Sequence, residues 1–267
     1  MTEKTKLPTL HQFYDLSDYG RPMARQFVRW LLPTPIGSLS LTGLFGCVGS
    51  VGAYLIYIRE WPVAAGFLLV LKSVIDAADG DMARARNRPS YTGRYADSIL
   101  DFILNGAILL AIGIPLEYSL GFIGFTWVCF QLHGTVYNYS YVMRRHHVQG
   151  DTTSRIIETR TPQAYPYENA SVVWMLHKVY LVLYGWQDLL IYGLDRYLIR
   201  AHHRVASNRW MTAISVCGLG TQLMVISVCL VLNQLNWVFP IVLIGYNVWV
   251  FGLLVIRGIS TGLSMRL

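Results

Sequence analysis

Charge is scarce in this chain. Of its 267 residues only 14% are Asp, Glu, Lys or Arg, against roughly a quarter in an ordinary soluble domain. Too few charges are present to coat a water-exposed surface of that size. Cysteine is nearly absent as well. The four present, Cys47, Cys129, Cys217 and Cys229, each sit inside an apolar stretch, which excludes a disulfide framework or a zinc site and leaves them as packing residues. There is no internal repeat and no low-complexity tract. The opening M-T-E-K-T-K-L-P-T-L has no long apolar core, so no cleavable signal peptide is expected. The net charge of +7 is spread over several loops and forms no tail, which argues against a nucleic-acid partner and fits positive-inside loops. What the chain has in quantity is apolar surface: 54% hydrophobic residues, with 17 Tyr and 8 Trp available as interfacial anchors.

A helix needs about 20 mostly apolar residues to cross a bilayer. Six stretches qualify: Ser38–Ile58, Trp61–Ala77, Ser98–Pro115, Leu120–Met143, Met211–Leu232 and Trp237–Ile256. The sequence therefore predicts an all-α integral membrane protein with six transmembrane helices. Ahead of the first, Arg21, Arg25 and Arg29 recur every four residues beside Phe27, Val28, Trp30, Leu31 and Leu32. That pattern predicts an amphipathic interfacial helix lying on the membrane. The stretch Val172–Ile199 is apolar enough to cross, yet carries His177, Lys178, Gln187, Asp188, Asp195 and Arg196. With the N-terminus and the basic loop Asp81 to Ala96 in the cytoplasm, a crossing here would send the four arginines between Arg196 and Arg209 outward. The positive-inside rule opposes that, so the stretch reads as an extra interfacial helix before the last hairpin. The expected layout is one membrane-embedded domain over 1–267. Residues 1–35 form a cytoplasmic leader and amphipathic helix, 36–143 four spans, 144–209 a cytoplasmic loop and interfacial helix, and 210–267 the last two spans.

The chemistry is concentrated between the second and third spans, in D-A-A-D-G-D-M-A-R-A-R-N-R-P-S-Y-T-G-R-Y-A-D-S-I-L-D, Asp76 to Asp101. Carboxylates at membrane depth are costly and mark function. Asp76 and Asp79 are three apart and Asp97 and Asp101 four apart, so each pair shares one helix face. If the two helices pack together, four carboxylates converge, and they cannot all stay ionised without compensation. A pair of divalent cations, Mg²⁺ or Mn²⁺, answers that need, since both prefer oxygen ligands. Gly80 and Ala83 leave room beside that face, and Arg84 is placed to hold phosphate through its planar fork. An EF-hand loop is excluded by the spacing and by the missing Glu. A cation transporter using the carboxylates as a transit site is the reading from another functional class, but it needs no Gly-x-x-Ala-Arg beside the acids.

Written as D-x-x-D-G-x-x-A-R-x(8)-G-x-x-x-D-x-x-x-D, the run resembles the signature of the CDP-alcohol phosphotransferases, with every position filled. The resemblance implies a membrane enzyme that cleaves a CDP-linked substrate, releases CMP and moves the phosphoryl-alcohol part to a hydroxyl acceptor. It implies two metal ions on Asp76, Asp79, Asp97 and Asp101, with Asp101 as general base. It also implies CDP-substrate contacts from Asp79, Gly80, Ala83, Arg84 and Gly93, and a homodimer. Asp81 occupies a free position of the signature and reads as a solvated neighbour.

The acceptor side is less marked. Arg144, Arg145 and Arg155, with Arg160, follow the fourth span and are candidates for an acceptor that carries phosphate; ordinary positive-inside residues are the plainer account. His146, His147, His202 and His203 read as solvated surface, and His133 and Asn138 as helix–helix or substrate contacts. Two donor assignments stay open: CDP-diacylglycerol with a small polar alcohol, or CDP-choline or CDP-ethanolamine with a diacylglycerol-like or ceramide-like lipid. Chain length favours the first by family analogy, and with it a bacterial or archaeal cell membrane over the endoplasmic reticulum, the active site facing the cytoplasm.

Overall fold

The computed structural model describes residues 7–149, 155–199 and 205–263. Every regular element among them is helical. The first is α1 (Arg21–Leu31), followed by α2 (Ser38–Ile58), α3 (Pro62–Ala85), α4 (Tyr91–Gly113) and α5 (Leu120–His147). Local chemistry sets the starts. Pro62 opens α3, where a missing N–H costs nothing. The side chains of Ser90 and Ser119 accept from the N–H of Gly93 and Phe122 and cap α4 and α5.

Three described helices are long and apolar enough to cross a membrane: Ser38–Ile58, Tyr91–Gly113 and Leu235–Ile259. The pair α8 (Asn208–Ser215) and α9 (Leu219–Val231), bent by 42°, makes a fourth if taken as one span. The remaining two expected spans fall short of that standard for a physical reason. α3 holds Lys72, Asp76 and Asp79 in its length, and α5 holds Gln131, His133, Asn138 and Arg144. Both depend on neighbours to shelter those groups.

Several expected boundaries shift. α3 continues through both of its motif carboxylates to Ala85, and α4 starts at Tyr91, so the motif loop is five residues long (86–90), not the whole of Asp81 to Ala96. Polarity ended the expected spans, but the helices continue because their charged residues find partners. The stretch expected as one span over Met211–Leu232 is broken at Val216–Gly218. There the Gln222 side chain donates to the Cys217 and Phe130 carbonyls, at 3.0 and 3.3 Å, taking up an acceptor that the bend exposes.

α1 does not rest on lipid alone. Ala24 and Val28 are buried with Leu41, Phe45 and Val74, and Phe27, Leu31 and Leu32 pack against that cluster, leaving Trp30 exposed. Arg21 donates to Asp81 and Asp18, and Arg86 to the Thr34 carbonyl, which ties both ends of α1 to α3 or its C-cap. α6 (Ala170–Tyr180) continues through a π-helical stretch into α7 (Trp186–Gly193) and a second π-helical stretch, Leu194–Ile199. Before it, Glu168 accepts from Ser90 Oγ and Thr92 N, both at 2.8 Å, at the start of α4. After it, the Ala206 carbonyl and the Asn208 side chain accept from Arg144 at the end of α5. These bonds tie the two ends of the run to the start of α4 and to the end of α5.

Close helix approach brings the two halves of the motif together. A Cβ at Gly46 or Gly49 of α2 would meet Leu100 or Leu104 of α4 at 2.6 and 2.9 Å. These small residues let α4 sit against α2 and so against α3, the use small-residue stripes serve in membrane bundles.

Candidate active site

Asp76, Asp97 and Asp101 each present a carboxylate oxygen within 4.8 Å of the others. Asp79 stands beside this group, buried, with its Oδ2 accepting from Thr42 Oγ1 of α2 at 2.7 Å. A residue that the motif does not name lies among them. Lys72, 0% exposed, hydrogen-bonds Asp101 Oδ1 and stands 3.9 Å from Asp76 Oδ2, one turn before it on α3. Its ammonium also lies 4.9 Å from the centre of the Phe45 ring.

Three carboxylates against one ammonium leave two negative charges uncompensated within the group. Asp97 Oδ1 is buried with no hydrogen-bond donor among the described residues. An orphaned anionic oxygen in such a cluster is suited to a hard divalent cation, so the residues present fit a metal ion.

Asp76, Asp79, Asp97, Asp101 and Thr42 line one cavity of about 920 Å³, together with Gly80, Ala83, Arg84, Gly93, Asn138, Arg145 and Arg155. The expected CDP-side residues therefore share a chamber with the carboxylates. Two of them have local roles. Arg84 pairs with Asp81 and lies against Gly80, where a Cβ would meet its guanidinium at 3.3 Å. Gly93 gives its N–H to Ser90 Oγ at 2.8 Å, and a Cβ there would stand 3.3 Å from that oxygen. Asp81 is no solvated neighbour: Oδ1 bridges Arg84 and Arg21, the latter at 2.9 Å. The motif's arginine is thus placed by an acid from the signature's unspecified positions and by a basic residue of α1.

The three arginines proposed for the acceptor separate. Arg144 is committed to structure: its guanidinium donates to the carbonyls of His11 and Ala206, at 2.8 and 2.6 Å, and to Asn208. It does not line the cavity. Arg145 does, buried under the Tyr141 ring at 5.4 Å. Arg155 is exposed at the rim, near the clamp of Arg94 on buried Glu158 at 2.7 Å. His133 Nε2 meets Asn247 Oδ1 at 3.1 Å and its ring stacks on Tyr246, a helix–helix role. His146 and His147 are exposed, while His202 and His203 lie outside the described residues. Cys129, Cys217 and Cys229 are buried and Cys47 is exposed, all four as free thiols.

The loop over the rim is pinned by Glu168. Burial alone would push its carboxyl up, but the Thr92 N–H, the Ser90 hydroxyl and the Tyr165 N–H outweigh that and hold it below the usual glutamate value.

Sequence reasoning missed Lys72, Thr42 and the roles of Asp81 and Glu168. A signal for the first was present: a lone lysine in an apolar run, four residues before Asp76, is an i,i+4 ion pair at membrane depth.

Comparison with known proteins agrees with this geometry. A bifunctional IPC transferase and DIPP synthase of Aquifex aeolicus is 35% identical over 103 residues, 39% of this chain and 22% of that one. An archaetidylinositol phosphate synthase of Methanothermobacter thermautotrophicus is 33% identical over 96 residues, 34% of this chain and 47% of its own. A bifunctional IPC transferase and DIPP synthase of Thermococcus kodakarensis is 49% identical over 45 residues, 17% of this chain and 10% of that one. The matched stretches span less than half the length of each relative. The family model for CDP-alcohol phosphatidyltransferases matches residues 38–185, from the start of α2 through α6 and with every motif carboxylate inside it, and the chain belongs to that family.

Proposed function

We propose that the protein transfers a phosphatidyl group from CDP-diacylglycerol to the hydroxyl of a water-soluble alcohol, releasing CMP. The observation that carries this reading is the convergence of Asp76, Asp97 and Asp101 in one cavity with Gly80, Ala83 and Arg84. Asp76, Asp79, Asp97 and Asp101 would hold divalent ions, two Mg²⁺ or Mn²⁺, which when bound would neutralise the diphosphate and stabilise the departing CMP. Arg84, turned into the cavity by Asp81, presents its fork to the phosphates.

Asp101 takes the proton of the acceptor hydroxyl. The acceptor's hydroxyl oxygen then bonds the phosphorus that carries the lipid, and the bond from that phosphorus to the bridging oxygen breaks. CMP departs with that oxygen. Lys72, bonded to Asp101 Oδ1, fixes the carboxylate so that its other oxygen faces the acceptor.

The lipid assignment for the donor rests on placement. The carboxylates lie in the motif-loop halves of α3 and α4, a placement in which a diphosphate can reach them from the headgroups while acyl chains stay in lipid. One relative is by name an archaetidylinositol phosphate synthase. Six spans, with the run from α6 to Ile199 and both termini on the motif side, complete the reading, that side being cytoplasmic and the assembly a homodimer. Incubating purified protein in lipid with radiolabelled CDP-diacylglycerol and a panel of alcohols tests it. CMP release that depends on one of the alcohols is the expected result; CMP release only from CDP-choline or CDP-ethanolamine with a neutral lipid would reverse donor and acceptor.

A further inference from the structure

Beneath the carboxylates, on the side away from the motif loop, the cavity ends on amides. Its floor includes Asn105 of α4, Gln131 and Thr135 of α5, and Gln222 of α9. Asn105 is 3% exposed and Gln131 7%. Both are sunk in a bundle whose neighbouring layer is Ile108, Leu109, Phe130 and Leu223.

Most polar groups at this depth are spoken for. Thr135 Oγ1 donates to Gln187 Oε1 at 2.8 Å, and the Gln222 amide donates to the Phe130 and Cys217 carbonyls. Asn105 and Gln131 are different. Asn105 Nδ2 donates to Gln131 Oε1 at 3.2 Å, which leaves Asn105 Oδ1 buried without a donor among the described residues, while Gln131 Nε2 faces the Tyr184 hydroxyl oxygen and has a second N–H to give. The Tyr184 hydroxyl nearby donates to the Ser98 carbonyl at 3.1 Å. Turning both amides over exchanges the roles and still leaves one acceptor beside one donor. Buried polar atoms are almost always satisfied. A hydroxyl, which donates and accepts at once, is the group that completes this pair.

The position ties the pair to the reaction. Asn105 follows Asp101 by four residues on the same face of α4, about 6 Å along the helix. An acceptor whose reacting hydroxyl lies at Asp101 therefore reaches the amides with a second hydroxyl. The pair is neutral, so it offers nothing to an ammonium or a carboxylate that water would not offer better.

We propose that Asn105 and Gln131 form the floor of the acceptor subsite and select a polyol, an alcohol bearing at least one further neutral hydroxyl about one helical turn from the reacting one. This rests on the acceptor being the soluble partner, as in the proposed function. It is separate from the phosphate contact assigned to the rim arginines, because it reads the uncharged part of the molecule.

The test uses the full chain in lipid with CDP-diacylglycerol and three acceptors: glycerol 3-phosphate, myo-inositol 1-phosphate and L-serine. Wild type is expected to use at least one of the two polyols in preference to serine. Asn105→Leu and Gln131→Met keep the size of each side chain and remove its polar atoms. Each should raise KM for the preferred polyol at least tenfold, leave KM for CDP-diacylglycerol unchanged, and keep kcat at saturating acceptor within about threefold. An amide pair that merely joined α4 to α5 would lower kcat for every acceptor and leave the acceptor KM alone. Two variants guard against one failing to fold, and the unchanged donor KM reports folding in either. Unaltered acceptor KM in both, or a wild-type preference for serine, would overturn this inference and leave the transferase reading standing. Absence of CMP release from CDP-diacylglycerol with every alcohol would overturn the donor assignment, and this inference with it.

Discussion

Lys72 and Asp101, 29 residues apart and on different helices, form an ion pair in which the lysine is fully buried. A carboxylate expected to accept a proton and bind a cation thus already has one positive charge of the protein's own beside it. Breaking such a pair by removing one partner costs about 3–5 kcal/mol, because the other charge stays buried. Lys72→Met should therefore lower the thermal midpoint sharply in chelator. Adding Mg²⁺ should then raise it by more than in wild type, since the ion replaces the lost charge and binding to the folded state stabilises it. Equal Mg²⁺ shifts in the two proteins would separate Lys72 from the cation site.

Metal removal gives the second prediction. Excess EDTA should stop CMP release, and Asp101→Asn should lower it by roughly 10²–10⁴-fold with Mg²⁺ present, the usual range for loss of a general base. Asp97→Asn should act mainly through metal affinity, because its orphaned Oδ1 is the oxygen that most lacks a cation; higher Mg²⁺ should restore part of its activity. Full turnover in chelator would show that the carboxylates work without a metal ion.

Much of this architecture was legible because its causes are local. The bounds of α2 coincide with the apolar run Ser38–Ile58, and the motif spacing placed each pair of carboxylates on one helix face. What stayed hidden depends on distant partners. Lys72 in isolation looks like an interruption of an apolar stretch; it becomes part of the site only when the glycines of α2 admit α4. Arg144 read as a candidate for the acceptor because its partners, His11, Ala206 and Asn208, lie 62 to 133 residues away. Asn105 and Gln131 are 26 apart on neighbouring helices, and no periodicity joins them. The extended α3 was missed for a related reason: hydropathy falls where Asp76, Asp79 and Asp81 enter, while Lys72, Thr42, Arg21 and Arg84 sustain the helix.

The third prediction concerns the side of the membrane to which the α6–α7 run returns. Single cysteines at Asn87, Asn208 and Asn233, in a background without Cys47, Cys129, Cys217 and Cys229, should label in a two-to-one pattern. Positions 87 and 208 should share a side, since Glu168 ties the run to the start of α4 and Arg144 ties it to the end of α5. Position 233, in the turn after α9, labels from the opposite side. Labelling of 208 together with 233 would make the run a true crossing and the protein seven-helical.

Acid should release the loop held by Glu168. A carboxyl whose folded pKa lies below its ordinary value of 4.5 adds stability that is fully present above that value and lost as pH falls through the lower folded one. A spin label on Gln163→Cys, in the cysteine-free background, should be ordered at pH 6 and loosen below about pH 4. Glu168→Gln should loosen it already at pH 6 and remove the pH dependence. A label equally ordered at both pH values would mean that other contacts hold the loop.

The arginines at and beyond the end of α5 supply the last prediction, and they divide by what each touches. Arg144→Ala removes bonds to His11, Ala206 and Asn208, so it should lower thermal stability while leaving the acceptor KM near wild type. Arg155 is exposed where it lines the cavity, and among the described residues it bonds the Arg160 carbonyl at 3.3 Å. Its removal should cost little stability. A charge-assisted contact to phosphate is worth about 1.5–3 kcal/mol, so Arg155→Ala should raise KM for a phosphorylated acceptor by more than about tenfold. The donor KM should hold, because the carboxylates and Arg84 are untouched. For the unphosphorylated form of the same alcohol, KM should not respond to Arg155→Ala at all. A response of equal size with both forms would show that Arg155 acts through the loop, and an increase in donor KM instead would place it on the CDP side of the cavity.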